Sequence, residues 1–309
     1  MNSDQPPNFT LRQLSYLMTA ARLGTISAAA RELHVSSSAI SDAITTLEHE
    51  LQSQLCIRRK SQGLALTAAG KQVLDKARPL LADARDLELQ LKTTDGELAG
   101  PITIGCYPTL APMILPVLLD GFGRLHPKVS LEIIEATQDL LVGKLESGEI
   151  DLAFVYETLV PGTPNRAQLF AQPAHVVLAA DDEFADQDAI RLEDLENRDL
   201  ILLDSPPSSH HTLSMFAERQ LHPTIRHRTT SYEVVRTLVA RGLGYGILVQ
   251  RLSNSNSYED LPLVIKEIEP AVKPVSVEAI WPANSTIAPR VQALIEFALA
   301  QEWIRPRAT

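Results

Sequence analysis

Cysteine is nearly absent. The 309 residues hold two, Cys56 and Cys106, too few and too far apart to form a disulfide framework or a thiolate metal site. No uninterrupted apolar run approaches the roughly 20 residues that a bilayer-spanning helix requires, so no membrane partner is expected. The opening MNSDQPPNFT has neither the basic nor the apolar region of a secretion signal, and a cytoplasmic location is expected. Internal repeats and low-complexity tracts are missing. So are a phosphate loop and any Ser/His/Asp or metal-ligand cluster, and neither catalysis nor a cofactor is expected. What remains is globular: 45% apolar and 21% charged residues, with length for two or three domains.

The formal charge of −10 disfavours a nucleic-acid partner until its distribution is considered. Residues 1–92 carry 11 Lys/Arg against 9 Asp/Glu, and the remainder carries 17 against 29. A slightly basic amino-terminal module is joined to an acidic body, which permits DNA binding without requiring it.

Residues 27–47, SAAARELHVSSSAISDAITTL, predict two short helices joined by a tight turn. Ser27 is placed to cap the first and Ser36 the second, with Leu33 and Val35 anchoring the turn. Ile40, Ile44 and Leu47 recur at i, i+4 and i+7, one buried face. Ser37, Ser41 and Thr45 run along another, with Ser38 beside them. Short hydroxyls contact phosphates and base edges, and a helix N-terminus favours a phosphate, so this face suits the major groove. An ordinary Ala/Ser-rich helical hairpin is the competing explanation.

Upstream, Thr10 and Gln13 have capping-box spacing and start a helix near Leu11, with Leu14, Leu17 or Met18, and Ala21 inward. Downstream, Leu55–Leu66 predicts two extended pieces about a basic Gln-Gly turn, the pattern of a winged helix. Arg58, Arg59 and Lys60 then stand where a wing meets phosphates, or are a solvated charge run. From Thr67, Val73, Ala77, Leu80, Ala84, Leu87 and Leu91 make a heptad seam, which predicts pairing with a second chain or packing on its own. Pro79 predicts a kink or break in that helix, and Thr93–Gly96 a hinge. Beyond residue 100, strands at 102–106, 129–134, 150–155, 175–179, 200–203, 224–228, 245–249 and 275–280 alternate with helices at 111–125, 139–145, 211–221, 233–240 and 289–301. That rhythm predicts mostly parallel α/β sheets.

In order, these elements resemble the LysR-type transcriptional regulators over essentially the whole chain. Leu11-Arg12-Gln13-Leu14, Ala28-Ala29, Leu33, Val35-Ser36, Ser41, Leu47-Glu48 and Leu66-Thr67-x-Ala69-Gly70 carry the amino-terminal likeness. Leu115-Pro116, Phe122, His126-Pro127, Leu145–Ala153 and Gly242–Ile247 carry a looser one. The resemblance implies a winged helix-turn-helix (1–66), a linker and dimerisation helix (67–94), and a two-lobed α/β effector domain like periplasmic solute-binding proteins (95–309). It implies double-stranded promoter DNA and a small-molecule effector as partners, a homodimer through the linker helix, and a homotetramer. The base-contacting positions it implies are Ser37, Ser38, Ser41 and Asp42; Ser36 and Thr45 on the same helix and Arg58, Arg59 and Lys60 on the wing complete the expected DNA-binding set. Two departures stand out: relatives often have Gln-Pro at Ser37-Ser38 and Arg at Asp42, so operator preference is expected to differ here.

Effectors of such domains sit outside the carboxyl ends of strands, where helix N-termini present free N–H groups. Thr109 matches a hydroxyl that holds an effector carboxylate in related regulators, or is a plain helix cap. Thr137 or Gln138 follow the next strand. Ser205, Ser208 and His210 are expected to face the cleft from the other lobe, with Phe154 or Tyr156 lining it; a rigid surface connection is the alternative for the Pro206-Pro207 loop. Arg191 and Arg198 are expected to be solvated charges. His210-His211 lacks a third ligand at metal spacing. Gly242-x-Gly244-x-Gly246 leads from helix to strand, the wrong order for a dinucleotide loop. Oxidation sensing through Cys106 is a second functional class, and a two-lobed enzyme or transport protein a minor third.

Overall fold

The computed structural model describes residues 6–59, 63–92, 97–252, 254–283 and 287–303, with backbone alone for 58–59 and 89–92. The chain divides into two compact units, Met1–Gly100 with Lys144–Glu149, and Pro101–Gly143 with Ile150–Thr309. Among the described residues no helix is long and apolar enough to cross a membrane.

The first unit runs α1 (Leu11–Leu23), α2 (Ile26–Glu32), α3 (Ser37–Glu50), β1 (Cys56–Arg59), β2 (Gly63–Leu66) and α4 (Ala68–Lys92). Thr10 and Gln13 close a reciprocal capping box at the start of α1. Leu14, Leu17 and Ala20 are buried, whereas Met18 and Ala21 are half-buried against the same core. The cap of α2 is Thr25, whose hydroxyl accepts from Ala28 N; Ser27 lies inside the helix, because α1 ends at Gly24 and the chain re-enters helix at once. Ser36 caps α3 as expected, and Ile40, Ile44 and Leu47 are fully buried. Glu48 reaches from the last turn of α3 to accept from Leu55 N at 2.7 Å and Cys56 N at 2.9 Å, which fixes the start of the antiparallel β1–β2 wing.

Thr67 opens α4, its hydroxyl accepting from Gly70 N and donating to Gln54 O. The helix carries through Pro79 without a break. Its seam divides: Val73 and Ala77, with Leu74 and Leu81 beside them, join the core of their own unit, while Leu80 and Leu87 are 50% and 61% exposed. Lys60, the turn between the wing strands, and the hinge at 93–96 lie outside the described residues, as do the side chains of Arg58, Arg59 and Leu91.

The second unit has two lobes. The first contains β3 (Gly100–Cys106), α5 (Ala111–Val117) continuing through a π-helical turn (Leu118–Phe122) into α6 (Gly123–Leu125), β4 (Val129–Glu135), α7 (Gln138–Glu146), β5 (Leu152–Tyr156) and β6 (Asn165–Gln172). The chain then builds the second lobe from β7 (His175–Ala179), β8 (Ala189–Arg191), α8 (Leu192–Leu195), β9 (Asp199–Leu203), α9 (Ser208–Ala217), β10 (Thr224–Thr229), α10 (Tyr232–Ala240), β11 (Gly246–Leu248) and β12 (Leu263–Glu269). It returns to the first lobe for β13 (Val275–Trp281) and α11 (Pro289–Leu299).

The first lobe's sheet has the order β4-β3-β5-β13-β6, and the second lobe holds β11-β7-β12-β8 and a β10-β9 pair. These sheets are mixed, which corrects the mostly parallel expectation. β3 runs parallel to β5, β10 to β9 and β12 to β8, but β13 is antiparallel to β5 and β6, and β7 to β11 and β12. The returning strand β13 imposes antiparallel pairing, and β6 and β12 were not anticipated because polar residues interrupt their apolar pattern. Gly244 belongs to this architecture: its φ is +146°, and a Cβ there would lie 2.2 Å from Asp199 O at the start of β9.

Candidate functional site

Two places concentrate presented chemistry, one in each unit. In the first, Ser36, Ser37, Ser38, Asp42 and Thr45 are exposed and Ser41 half-buried. The line directly opposite the buried face of α3 is Ser38, Asp42, Thr45 and His49, so the row Ser37–Ser41–Thr45 flanks the outermost stripe. Ser36 and Ser38 share a 2.9 Å hydrogen bond, while the Thr45 and Thr46 hydroxyls donate to the carbonyls of Ser41 and Asp42. Arg58 and Arg59 lie on β1, paired with Leu64 and Gly63.

In the second unit, the carboxyl ends of β3 and β5 bring tyrosines together. Tyr107 is fully buried and donates to Ser205, at 3.1 Å to its carbonyl and 2.9 Å to its hydroxyl, tying the first lobe to the loop ahead of α9. Tyr156, packed edge-on to Tyr107 at 5.5 Å, ends β5. Its hydroxyl is 3.0 Å from the Thr109 hydroxyl and accepts from Gln250 Nε2 at 3.0 Å. Tyr232 of α10 donates to Gln250 O at 2.5 Å. The chain Thr109–Tyr156–Gln250–Tyr232 thus spans both lobes. Burial raises the pKa of Tyr156 and pushes that of Tyr232 up to about 12, so both are neutral donors at physiological pH.

A cavity opens beside this chain. Thr109, Tyr156, Ser208, His211, Thr212, Tyr232 and Gln250 supply its polar wall, and Ala174, Leu203, Ile247, Leu248 and Val249 its apolar one. About 10 Å³ is open to the centre of a water-sized sphere, room for roughly one water. Among the described residues, no Lys, Arg, Asp or Glu lines it. Among the described residues the buried His211 Nε2 has no hydrogen-bond partner, and desolvation holds its pKa below the usual imidazole range. The cavity is therefore neutral and donor-rich, with one proton-accepting nitrogen.

The expected effector residues divide on this geometry. Thr109, Tyr156 and Ser208 line the cavity. Ser205 is engaged with Tyr107 beside it. Phe154 is fully buried in β5, outside the lining. Gln138 is spent on structure, donating to Thr158 O and accepting from Tyr156 N, and Thr137 bonds the Asp139 side chain. His210 is exposed, and its neighbour His211 takes the place expected of it. The reason is helix register: α9 starts at Ser208, three residues earlier than predicted, so Ser208, His211 and Thr212 fall at i, i+3 and i+4 on one face. Arg198 is also corrected. It is mostly buried, forms a fork to Asp182 at 2.5 and 3.1 Å, and lies 4.7 Å over the Phe184 ring, whereas Arg191 is solvated as expected. Gln250 and Tyr232 gave no signal in the sequence.

Comparison with known proteins agrees with both halves of this arrangement. Residues 11–71 match the family model for the bacterial regulatory helix-turn-helix protein, lysR family, and residues 95–303 that for the LysR substrate binding domain. The chain belongs to the LysR family of transcriptional regulators. The HTH-type transcriptional regulator EstR of Acinetobacter baylyi is 32% identical over 265 residues, 85% of this chain and 87% of that one. The crystal structure of HinK, a LysR family regulator from Pseudomonas aeruginosa, is 33% identical with a TM-score of 0.64, covering 95% of this chain and 99% of HinK. A hydrogen peroxide-inducible genes activator of Dickeya chrysanthemi is 28% identical over 240 residues, 77% of this chain and 78% of that one. This LysR-type protein is accordingly a DNA-binding transcriptional regulator with an effector-binding domain, not an enzyme.

Proposed function

We propose that this LysR-type regulator binds double-stranded promoter DNA in the cytoplasm through α3 and the wing. It pairs with a second copy along α4, assembles further into a tetramer, and responds to a small carboxylate taken into the cavity beside Thr109. In this proposal 1–66 is the DNA-binding domain, 67–94 the linker helix and 95–309 the effector domain. The two leucines left exposed on α4 support pairing. Leu80→Lys with Leu87→Lys is expected to lower the mass seen in analytical ultracentrifugation; an unchanged assembly removes α4 from the interface.

The observation that carries the effector site is the convergence of Thr109, Ser208 and His211 on one neutral space whose own polar chain ties the two lobes. With no fixed cation in its lining, the cavity suits one carboxylate and disfavours di- and tricarboxylates, whose second charge would be buried unpaired. Since the space holds only about one water, a ligand has to part the lobes or displace the Tyr156–Gln250 link. It shifts the regulator only by its affinity difference between open and closed forms. Thermal-shift titration of the full chain with aliphatic, aromatic and amino-acid monocarboxylates tests this. A shift that Thr109→Val and His211→Phe both abolish supports the site, and a hit that neither affects places the effector elsewhere.

Oxidation sensing draws support from the peroxide-inducible relative, but Cys106 speaks against it. The side chain is fully buried, its pKa is raised by burial and then by Glu135, and its thiol approaches Tyr107 O at 3.6 Å. The thiolate that peroxide attacks is therefore scarce. The other cysteine, Cys56, belongs to the other unit. Peroxide treatment followed by mass spectrometry is expected to leave Cys106 reduced in the native protein.

A further inference from the structure

The face that α3 offers is unusual in what it carries. Its fourteen residues, SSAISDAITTLEHE, contain no Lys or Arg, so the fork from arginine to guanine O6 and N7, the commonest specific base contact, is unavailable to it. At the middle of the stripe opposite its buried face stands Asp42, exposed and one turn from Ser38. Among the described residues nothing engages its carboxylate: the Thr46 hydroxyl goes to the Asp42 carbonyl, and no ion pair reaches the side chain. An aspartate inside a helix costs stability relative to alanine, because its side chain competes for backbone N–H groups and restricts the helix. It also repels any phosphate nearby. Among the described residues nothing offsets either cost.

We propose that Asp42 is a specificity-determining residue that accepts a hydrogen bond from the exocyclic amino group of a cytosine in the operator's major groove. The proposal rests on α3 being the helix that enters the groove. A carboxylate is an acceptor only, and the major groove offers it two donors, cytosine N4 and adenine N6. Adenine sets its N7 acceptor beside the amino group, where the second carboxylate oxygen is repelled. Cytosine sets an apolar C5–H there. Guanine presents acceptors alone and thymine an acceptor and a methyl group, so at that strand position Asp42 favours cytosine over the other three bases. Sequences without that cytosine leave a desolvated carboxylate facing acceptors, and the same acid that lowers general DNA affinity thereby sharpens discrimination.

The experiment is selection of full-length protein against a randomised duplex pool, wild type beside Asp42→Ala and Asp42→Asn. Asp42 is exposed, and alanine is the better helix former, so the variants retain the fold. The wild type is expected to enrich a half-site with one invariant C·G pair. Asp42→Ala is expected to lose preference at that pair alone and to bind pool DNA more tightly. N4-methylcytosine, which replaces the groove-facing N–H by a methyl group, is then expected to weaken wild-type binding about tenfold and leave Asp42→Ala unchanged. If wild type and Asp42→Ala enrich the same site with the same preference at every position, Asp42 reads no base while DNA binding through α3 stands. If Asp42→Ala relaxes a position that is not C·G, the cytosine assignment fails. If the wild type enriches nothing, the DNA-binding assignment itself fails and the proposal with it.

Discussion

Glu48 holds the geometry that any DNA reading by this protein depends on. One carboxylate oxygen, Oε1, accepts from the backbone N–H of both Leu55 and Cys56, at 2.7 and 2.9 Å, and those residues are 0% and 4% exposed. Truncation to alanine leaves two buried N–H groups without an acceptor. Hydrogen bonds to a charged group contribute about 1.5–3 kcal/mol each, and two that share one oxygen sum to less than twice that. Glu48→Ala is therefore expected to cost about 2–4 kcal/mol, a large part of the roughly 5–13 kcal/mol typical for a domain of this size. Glu48→Gln keeps an sp² oxygen in place and loses only the charge, so its cost is expected near 1 kcal/mol. The protein supplies its own control. Both tryptophans, Trp281 and Trp303, lie in the second unit, so tryptophan fluorescence follows that unit alone. Hydrogen exchange read by mass spectrometry on peptides spanning 40–57 follows the first. Protection there should fall by about 30- to 1,000-fold in Glu48→Ala and by less than about tenfold in Glu48→Gln, with the fluorescence midpoint unmoved. If alanine and glutamine prove equivalent, or alanine costs under about 0.5 kcal/mol, the carboxylate is not what fixes the wing.

Tyr156→Phe removes the hydroxyl between Thr109 and Gln250, and should destabilise the second unit by about 1–3 kcal/mol in a tryptophan-monitored denaturant titration; an unchanged midpoint means that water replaces the link at no cost. His211 has its folded pKa depressed by desolvation, so the unfolded chain takes up its proton first as pH falls. Its contribution is fully present above about pH 6.5 and is lost progressively below that, levelling off beneath the folded pKa. His211→Phe should flatten the stability profile in that window, and a bound carboxylate should draw a proton onto His211, seen as buffer-dependent heat in calorimetry. Gly70→Ala should destabilise the first unit by about 1–3 kcal/mol, because a Cβ there would lie 2.1 Å from Leu55 O. Gly143→Ala, in open space on α7, should stabilise the second unit by about 0.5–1 kcal/mol; both are read from unfolding midpoints.

Where contacts are local, the sequence spoke clearly. The Thr10–Gln13 capping box, the Ser36 cap and the Ile40–Ile44–Leu47 face each depend on residues within two turns, and each is present as expected. Ser27 misled because Thr25, two residues earlier, is an equally good cap and α1 ends at Gly24 immediately before it. The heptad of α4 is one periodic signal with two destinations. Periodicity specifies an apolar face but not what covers it, and only the fold separates Ala77, buried at home, from Leu87, left outside. Strand direction was illegible for a related reason: β13 joins the first lobe from a distance of more than a hundred residues, and no local pattern encodes that return.

The cavity tests the same distinction most severely. Thr109 and Ser208, expected between a strand and a helix, do line the cavity, while His211 lines it one position from the expected His210 because α9 starts three residues earlier than predicted. Gln250 was invisible, since nothing around it differs from any polar residue after an apolar strand. Its role exists only because β11 and β5, ninety-odd residues apart, bring its amide to Tyr156. The element that can change when a ligand enters is this non-local one. Thr109 and His211 supply chemistry from either lobe, and in the proposed site Tyr156–Gln250 is, beside Tyr107–Ser205, the bond between lobes within a ligand's reach. A ligand that bridges Thr109 and His211 while sparing that bond favours the closed form, whereas one that takes over the Tyr156 hydroxyl favours the open form, each by its difference in affinity. The direction of an effector's response should therefore follow the competition for Tyr156, and not occupancy of the cavity alone.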